Sequence, residues 1–491
     1  MILINPQFDR VQKLGDFSRY VPISVPIGLA ILTGYLQSKG KTVKILDEQI
    51  KPVSEELLRE YVRDIRPPYI FGISCFTAGI GRGYEIAKII KILYPDGWVI
   101  MGGIHPTVLP EEVLNSGDVD IVVRREGDET LNLLYDLIKK GEDYSQLLGI
   151  SFKNKEGRII HNSDAPLFSD INLLPPFPYH LFEDHQDKYN FGFIFSSRGC
   201  PYNCIFCSQR SISGGNYRYL SSPRVVAEID LLVNKYGQKN ISFFDDNFVV
   251  DKNRTKELCQ LIRERNFPKD VIFDCQTRGD AVNEDILQEL KSAGFKSIFF
   301  GLETASERLM KLINKGEMVK QNFAGVKLAK NFGFQVSAAF ILGLPTETRE
   351  ERRQAYKMAK ELSLDNVRFN NATPYPGTEL YNIAIKEGRF NPGKNWENLS
   401  ACGTFVESPF KSSPLSYCPL TTTEKELRRD IARANLFFWF SPVRICRILT
   451  SGNVGGGWLS LPNKWYLKPK EWYYLSKMGL RLFLSLIKSF I

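Results

Sequence analysis

Short apolar runs alternate with amphipathic stretches from the first residue onward. Ile2–Ile4, Val43–Leu46, Ile70–Ser74, Val99–Met101 and Ile121–Val123 read as buried strands. Between them, Pro26–Ser38, Ser54–Ile65, Gly83–Leu93 and Glu129–Lys139 place apolar residues at helical spacing. Pro26 suits a first helical turn, and Gly40 the position just past a helix end. This alternation predicts an α/β domain over residues 1–150, a doubly wound (Rossmann-like) parallel sheet that binds ligands at the carboxyl ends of its strands. Residues 151–190 hold Pro166, Pro175, Pro176 and Pro178 among Asp, Asn and Ser, and predict a linker.

From residue 191 the alternation resumes. Strands are predicted at Phe193–Ser197, Ile241–Phe244, Ile272–Gln276, Ser297–Gly301, Val336–Ile341 and Val367–Asn370. Helical patterns fill the intervals at Val225–Tyr236, Lys252–Arg265, Asn283–Ala293, Val319–Asn331 and Arg349–Leu362. Such units over 191–395 predict a partial (β/α)6 barrel, whose active residues belong at the carboxyl ends of the strands. Residues 396–491 predict a mostly helical C-terminal extension, with amphipathic helices at Glu424–Phe440 and Trp472–Ile491 on either side of a turn at Gly455–Gly457.

Composition narrows the class. A chain of 491 residues suits two or three domains, and 43% hydrophobic with 24% charged residues excludes wholesale disorder and a multi-span membrane protein. Met1-Ile-Leu-Ile-Asn-Pro6 reads as a strand and not as a signal peptide. Nine scattered cysteines fit a reducing compartment, so the expected location is cytoplasmic. The net charge of +9 is local: from Glu424 onward twelve Lys and Arg face four acids, leaving the rest of the chain nearly neutral. No nucleic-acid partner is expected from such a tail. Lys477, Arg481 and Lys488 interrupt the terminal apolar run, so that helix is expected either to lie in a membrane interface or to cover the open side of the barrel.

The chemistry is concentrated in Cys200, Cys204 and Cys207, at C-x3-C-x2-C spacing just after the first barrel strand. Three thiolates on a short loop hold three irons of a 4Fe-4S cluster and leave the fourth open. Zinc wants a fourth ligand, which nothing nearby offers, and the bland alternative is three inert core thiols. Polar residues follow the later strands: Asp245, Asp246 and Asn247, then Gln276 and Arg278, then Glu303, then Gly343-Leu-Pro-Thr-Glu347. Each carboxylate alone reads as a solvated loop residue or a helix cap, but four sets at successive strand ends point to one site. Paired carboxylates suit an ammonium ligand. Gly102-Gly-Ile-His-Pro-Thr107 occupies a strand end in the first domain, where glycine admits a ligand close to the backbone. Cys259 and Cys275 read as core thiols, and Cys402, Cys418 and Cys446 are too irregularly spaced for a second cluster.

The cysteine loop, with Phe206 before its last cysteine, resembles that of the radical S-adenosylmethionine (SAM) superfamily. The resemblance implies SAM chelated at the open iron, Asp245 and Asp246 at its amino group, and Glu303, within Gly301-Leu-Glu303, near its ribose. It also implies Gly343 beside its adenine and Pro374, in Pro374-Tyr-Pro-Gly-Thr378, at the sixth strand end; Gln276 and Arg278 are further pocket candidates. The first domain resembles the cobalamin-binding domain found ahead of many radical SAM domains, with Gly102, Gly103 and His105 as loop candidates. It departs from the D-x-H-x-x-G motif, since Gly103 and Val108 stand in place of Asp and Gly. The resemblance thus implies cobalamin held without a histidine ligand, and His105 reads as a loop histidine bonded to backbone. A flavodoxin- or ferredoxin-type electron donor is implied, as is a 5′-deoxyadenosyl radical that activates an unreactive carbon for methylation. The expected substrate is a small molecule, apolar or lipid-like. Alternatives are cyclisation, ring contraction or carbon–carbon coupling without methyl transfer, and a non-catalytic corrinoid sensor or carrier. A methylthiotransferase acting on RNA needs further cluster cysteines in the first domain, which has only Cys75.

Overall fold

The computed structural model describes residues 1–7, 23–399, 414–439, 441 and 469–488. The first sheet contains β1 (Ile2–Asn5), β2 (Lys44–Asp47), β3 (Ile70–Ser74), β4 (Trp98–Gly102), β5 (Ile121–Val123), β6 (Ile150–Lys153) and β7 (Ile159–His161), in the order β2-β1-β3-β4-β5-β6-β7. The first five are parallel, and β6 and β7 are antiparallel additions at one edge. Alternate residues of each strand feed different cores. Ile2 and Ile4 pack with helices α2 (Glu55–Val62) and α3 (Ile80–Leu93), whereas Met1 and Leu3 pack with α1 (Ile27–Ser38) and α4 (Asp128–Lys140). Helices on both faces and a strand order that reverses beside β1 make a doubly wound sheet.

The second sheet is wholly parallel and runs in sequence order: β8 (Phe193–Ile194), β9 (Asn240–Phe243), β10 (Ile272–Thr277), β11 (Phe295–Glu303), β12 (Gln335–Leu342) and β13 (Asn366–Asn371). Helices α5 (Ser222–Asn234), α6 (Lys252–Arg265), α7 (Glu284–Ser292), α8 (Val319–Asn331) and α9 (Arg349–Glu361) alternate with the strands and α10 (Glu379–Lys386) follows the last, the arrangement of an open (β/α)6 barrel. Their starts are written locally: Asp251 accepts from the backbone of Asn253 and Arg254, Asn283 from Ile286, and Thr348 forms a capping box with Glu351.

Two segments differ from the sequence reading. The stretch expected to be a linker supplies β6 and β7 to the first sheet and buries Ile171, Leu174, Tyr179 and Phe182 in the core of the barrel. The first barrel strand stops at Ile194, because Ser196 and Ser197 bond to Asp245 at 2.6 Å each; Ser197–Arg198 then pairs antiparallel with Arg218–Tyr219. Helix α11 (Glu424–Trp439), the first of the tail, packs along β13. There Asn435 accepts from Phe369 N–H at 3.1 Å and donates to Phe369 C=O at 2.9 Å, pairing both backbone groups of this residue on the sheet's edge strand. Helix α12 (Pro469–Lys488) packs on α11. Among the described residues no helix is long and apolar enough to cross a membrane. Cys402, Cys446, Phe440 and the Gly455–Gly457 turn lie outside the described residues.

Candidate active site

The cysteine loop sits at the carboxyl ends of the barrel strands and is tied down along its length. Ile205 N–H donates to Ile313 C=O at 3.0 Å, and Leu380 N–H donates to Ile205 C=O at 2.9 Å. All three thiols reach the surface of the mouth, while Cys75, Cys259 and Cys275 are buried. Surrounding protein still desolvates them, and it pushes Cys204 up to about 12 and Cys207 up to about 11. Such groups are neutral thiols at pH 7 until a metal displaces the proton. Among the described residues no three His, Cys, Asp or Glu side chains converge to hold a single metal ion. A cubane cluster takes each thiolate at a different iron, so what it asks for is three thiols on one short loop, and that is the donor set present.

Asp245 and Asp246, adjacent in sequence, do different work. Asp245 is fully buried and holds Ser196 and Ser197 at the root of the loop, with Arg254 bonded to Ser196 at 2.8 Å behind it. It is enclosed behind the loop, not open to a ligand's amino group. Asp246 faces solvent at the lip, yet crowding by protein and the neighbouring Asp245 charge push it up to about 6, against hydrogen bonds from Gly199 and Gln209 at the two ends of the loop. Gln276 donates to the Asp245 carbonyl at 2.7 Å, and the Thr277 hydroxyl to Asn247 Oδ1 at 2.8 Å. The Asn247 amide nitrogen is buried without a partner among the described residues, an orphan donor beside the mouth.

Arg278 and Glu303 belong to one buried ionic network. Arg278 is held by Asp280 at 2.8 Å, lies 3.6 Å from Glu317, and stacks at 3.7 Å on the ring of Tyr202, inside the cysteine loop. Lys315 bridges Glu303 and Glu317, each at 3.0 Å. Burial opposes the Lys315 charge, but the two carboxylates more than offset it and raise its pKa. Glu303 adopts φ +59°, and its side chain folds back over Gly301, where a Cβ would stand 2.5 Å from its carboxylate. The glycine of Gly301-Leu-Glu303 therefore makes room for the acid two residues on. Lys315, Glu317, Asp280 and Tyr202 were not among the sequence candidates. The signal for the first two is Asn314-Lys-Gly-Glu317, in which Asn314 and Gly316 both take positive φ.

Gly343 donates its N–H to Glu347, and the Leu427 side chain of α11 lies 2.7 Å from where a Cβ on it would stand. Its Cα side is thus covered by the tail. Pro374 is buried, and at Gly377 the turn after it meets Val108 of the first domain and Ser211, just beyond the cysteine loop.

The first domain presents the loop after β4 to this junction. Gly103 has φ +99°, and a Cβ there would stand 2.7 Å from the Cys75 carbonyl, so only glycine lets this loop pack against the end of β3 while staying half-exposed. Phe76, at the end of β3, is 76% exposed. A half-exposed glycine loop beside an uncovered aromatic ring suits a large planar ligand such as a corrin. His105 is fully buried, with Nε2 2.9 Å from Glu112 and its ring against Trp396. Its partner is a carboxylate and not the backbone as expected, because Glu112 also collects Tyr84 at 2.8 Å and Trp396 at 3.2 Å.

Residues 194–359 match the radical SAM superfamily, and residues 19–134 match the B12 binding domain. An uncharacterized methyltransferase of Pyrococcus horikoshii is 35% identical over 366 residues, covering 73% of this chain and 78% of that one. The anaerobic magnesium-protoporphyrin IX monomethyl ester cyclase of Rubrivivax gelatinosus is 28% identical over 72% of this chain, which spans 65% of that enzyme's length. Among solved structures, the radical S-adenosylmethionine methyltransferase TsrM from Kitasatospora setae, with cobalamin and a 4Fe-4S cluster bound, aligns with a TM-score of 0.66 at 19% identity. That alignment covers 86% of this chain and 82% of TsrM, a likeness of fold.

Proposed function

The chain belongs to the cobalamin-binding radical SAM superfamily enzymes, and from that premise we propose that it is a methyltransferase acting on an unactivated carbon of an apolar, lipid-like small molecule. The observation that carries this reading is the meeting of two sites: three partly exposed cysteines at the barrel mouth and a half-exposed glycine loop from a doubly wound sheet, joined where Gly377 touches Val108. When bound, the cluster supplies one-electron cleavage of SAM and the corrinoid a transferable methyl group. Cys200, Cys204 and Cys207 hold the cluster. Asp246, at the lip, and the orphan amide of Asn247 orient the polar head of SAM, and the Arg278–Lys315–Glu303 network fixes the far wall of the pocket. Gly102 and Gly103 admit the corrinoid, and buried His105 takes no part in ligating it.

Phe195 and Phe244, partly exposed beside Asp246, give the mouth an aromatic side, which supports an apolar substrate. Exposed Trp472, Tyr473 and Leu480 on α12 support peripheral contact with the lipid surface from which such a substrate comes. The described cysteines are all free, in keeping with a reducing cytoplasm and a flavodoxin- or ferredoxin-type reductant.

Cys204→Ala tests the assignment. The variant is expected to lose iron and all reductive SAM cleavage while keeping hydroxocobalamin binding. Continued 5′-deoxyadenosine release would sink it. The cyclase relative favours a second reading, radical ring formation without methyl transfer. Product mass separates the two, since methylation adds a carbon and cyclisation removes hydrogen.

A further inference from the structure

A short segment touches both candidate cofactor loops. Arg125-Glu-Gly-Asp128 leaves the carboxyl end of β5 and opens α4. On the sheet side, Arg125 N–H donates to the Thr107 hydroxyl at 2.8 Å, and that hydroxyl donates to the Gly103 carbonyl at 2.8 Å. On the barrel side, Arg125 Nε donates to the Ile212 carbonyl at 3.1 Å, just after the cysteine loop. Just before that loop, Arg198 sets its guanidinium 3.2 Å from Glu126 and 2.9 Å from Asp128. Arg218, on the strand paired with Ser197–Arg198, closes on Glu126 at 2.5 Å.

Two arginines and two carboxylates cancel in charge, and both carboxylates are 7% exposed. Enclosed ion pairs of this kind add little net stability, because desolvation offsets attraction, but they tolerate one geometry only. Arg125 itself is held at φ +61°, a backbone state that a side-chain-bearing residue rarely takes unless its surroundings impose it. The Gly103 loop and the Cys200–Cys207 loop therefore share one rigid support, clamped before and after the cysteines.

We propose that residues 125–128 form a strut that couples the two cofactor sites, so that filling either one tightens the other. Glu126 and Asp128 are positioning residues acting through Arg198. The proposal rests on the two-cofactor reading above.

The test uses the full chain, with and without reconstituted cluster, titrated with hydroxocobalamin and followed by absorption and by amide exchange. Coupling between sites is reciprocal, so the cluster-loaded chain is expected to bind the corrinoid about fivefold more tightly than the cluster-free chain. In return, corrinoid should slow exchange across residues 199–216. Glu126→Gln with Asp128→Asn should abolish both effects. Arg198→Lys, a milder lesion that keeps the charge but loses the fork, should weaken both. Asp136→Asn breaks an ion pair with Lys41 in the same domain and should change neither. A double variant that still couples, or an unaltered chain whose corrinoid affinity ignores the cluster, overturns the strut alone. A chain that takes up no corrinoid overturns the two-cofactor reading and the strut with it.

Discussion

Burial pushes Glu347 up to about 8 from the ordinary 4.5, against the pull of Gly343 N–H and Arg352. The folded chain therefore keeps a proton that the unfolded chain has already released. Stability from this group is full below about pH 4.5, falls as pH rises towards 8, and levels off beyond. Glu347→Gln keeps a carbonyl for Gly343 N–H and should flatten a fall of up to ~1.4 kcal/mol per pH unit. Urea denaturation at about pH 5, 7 and 9 checks this, and parallel curves for the two proteins would refute it. Lys315 is subject to a different argument, since it neutralises two buried carboxylates at once. Lys315→Met should lower unfolding free energy by about 3 kcal/mol by leaving those charges without it, and Lys315→Arg should recover part of the loss. Some of this was legible and some was not. The polar strand ends are plain in the sequence, but not that Asp245 turns behind the loop while Asp246 turns to the lip, because neighbours at a strand end point to opposite sides. Lys315 and Glu317 lie in a loop whose hydrophobic pattern carries no period, and their purpose depends on Arg278, distant in sequence.

Among the elements, Asn435 meets both backbone groups of Phe369 and makes α11 the cover of the last barrel strand. Asn435→Ala leaves a buried N–H and C=O unpaired and should cost about 2 kcal/mol. Amide exchange at Phe369 should rise with it, and an unchanged Phe369 rate would separate the helix from the strand's protection. Long, strongly periodic elements such as Lys252–Arg265 and Val319–Asn331 occupy the residues their pattern predicts. The misses are short. β6 and β7 hold four and three residues in a stretch rich in Asp, Asn, Ser and Pro, too few for alternation to stand out, and only their pairing beside β5 makes them strands.

For the whole molecule, the order of sheet, barrel and helical tail was legible because each has its own rhythm of apolar residues. The junction was not, since its contacts join residues as far apart as Glu112 and Trp396, 284 positions distant. A ligand that binds only the folded chain stabilises it by mass action. Hydroxocobalamin at a hundred times its Kd should therefore raise unfolding free energy by about 2.7 kcal/mol, visible as a concentration-dependent Tm. A Tm indifferent to corrinoid would argue against the B12 site as read here.

The pinning of Ile205 sets a timetable for biosynthesis. Glu126 and Asp128 leave the ribosome before the cysteines do, but the partners of Ile205 are Ile313 and Leu380, which emerge long after them. A nascent chain halted before Leu380 carries all three cysteines on a loop lacking one of its two flanking braces. Iron insertion into the finished geometry is thus a late event, following synthesis of the last barrel strand, and truncated chains should leave the ribosome with the ligands present but the cradle incomplete.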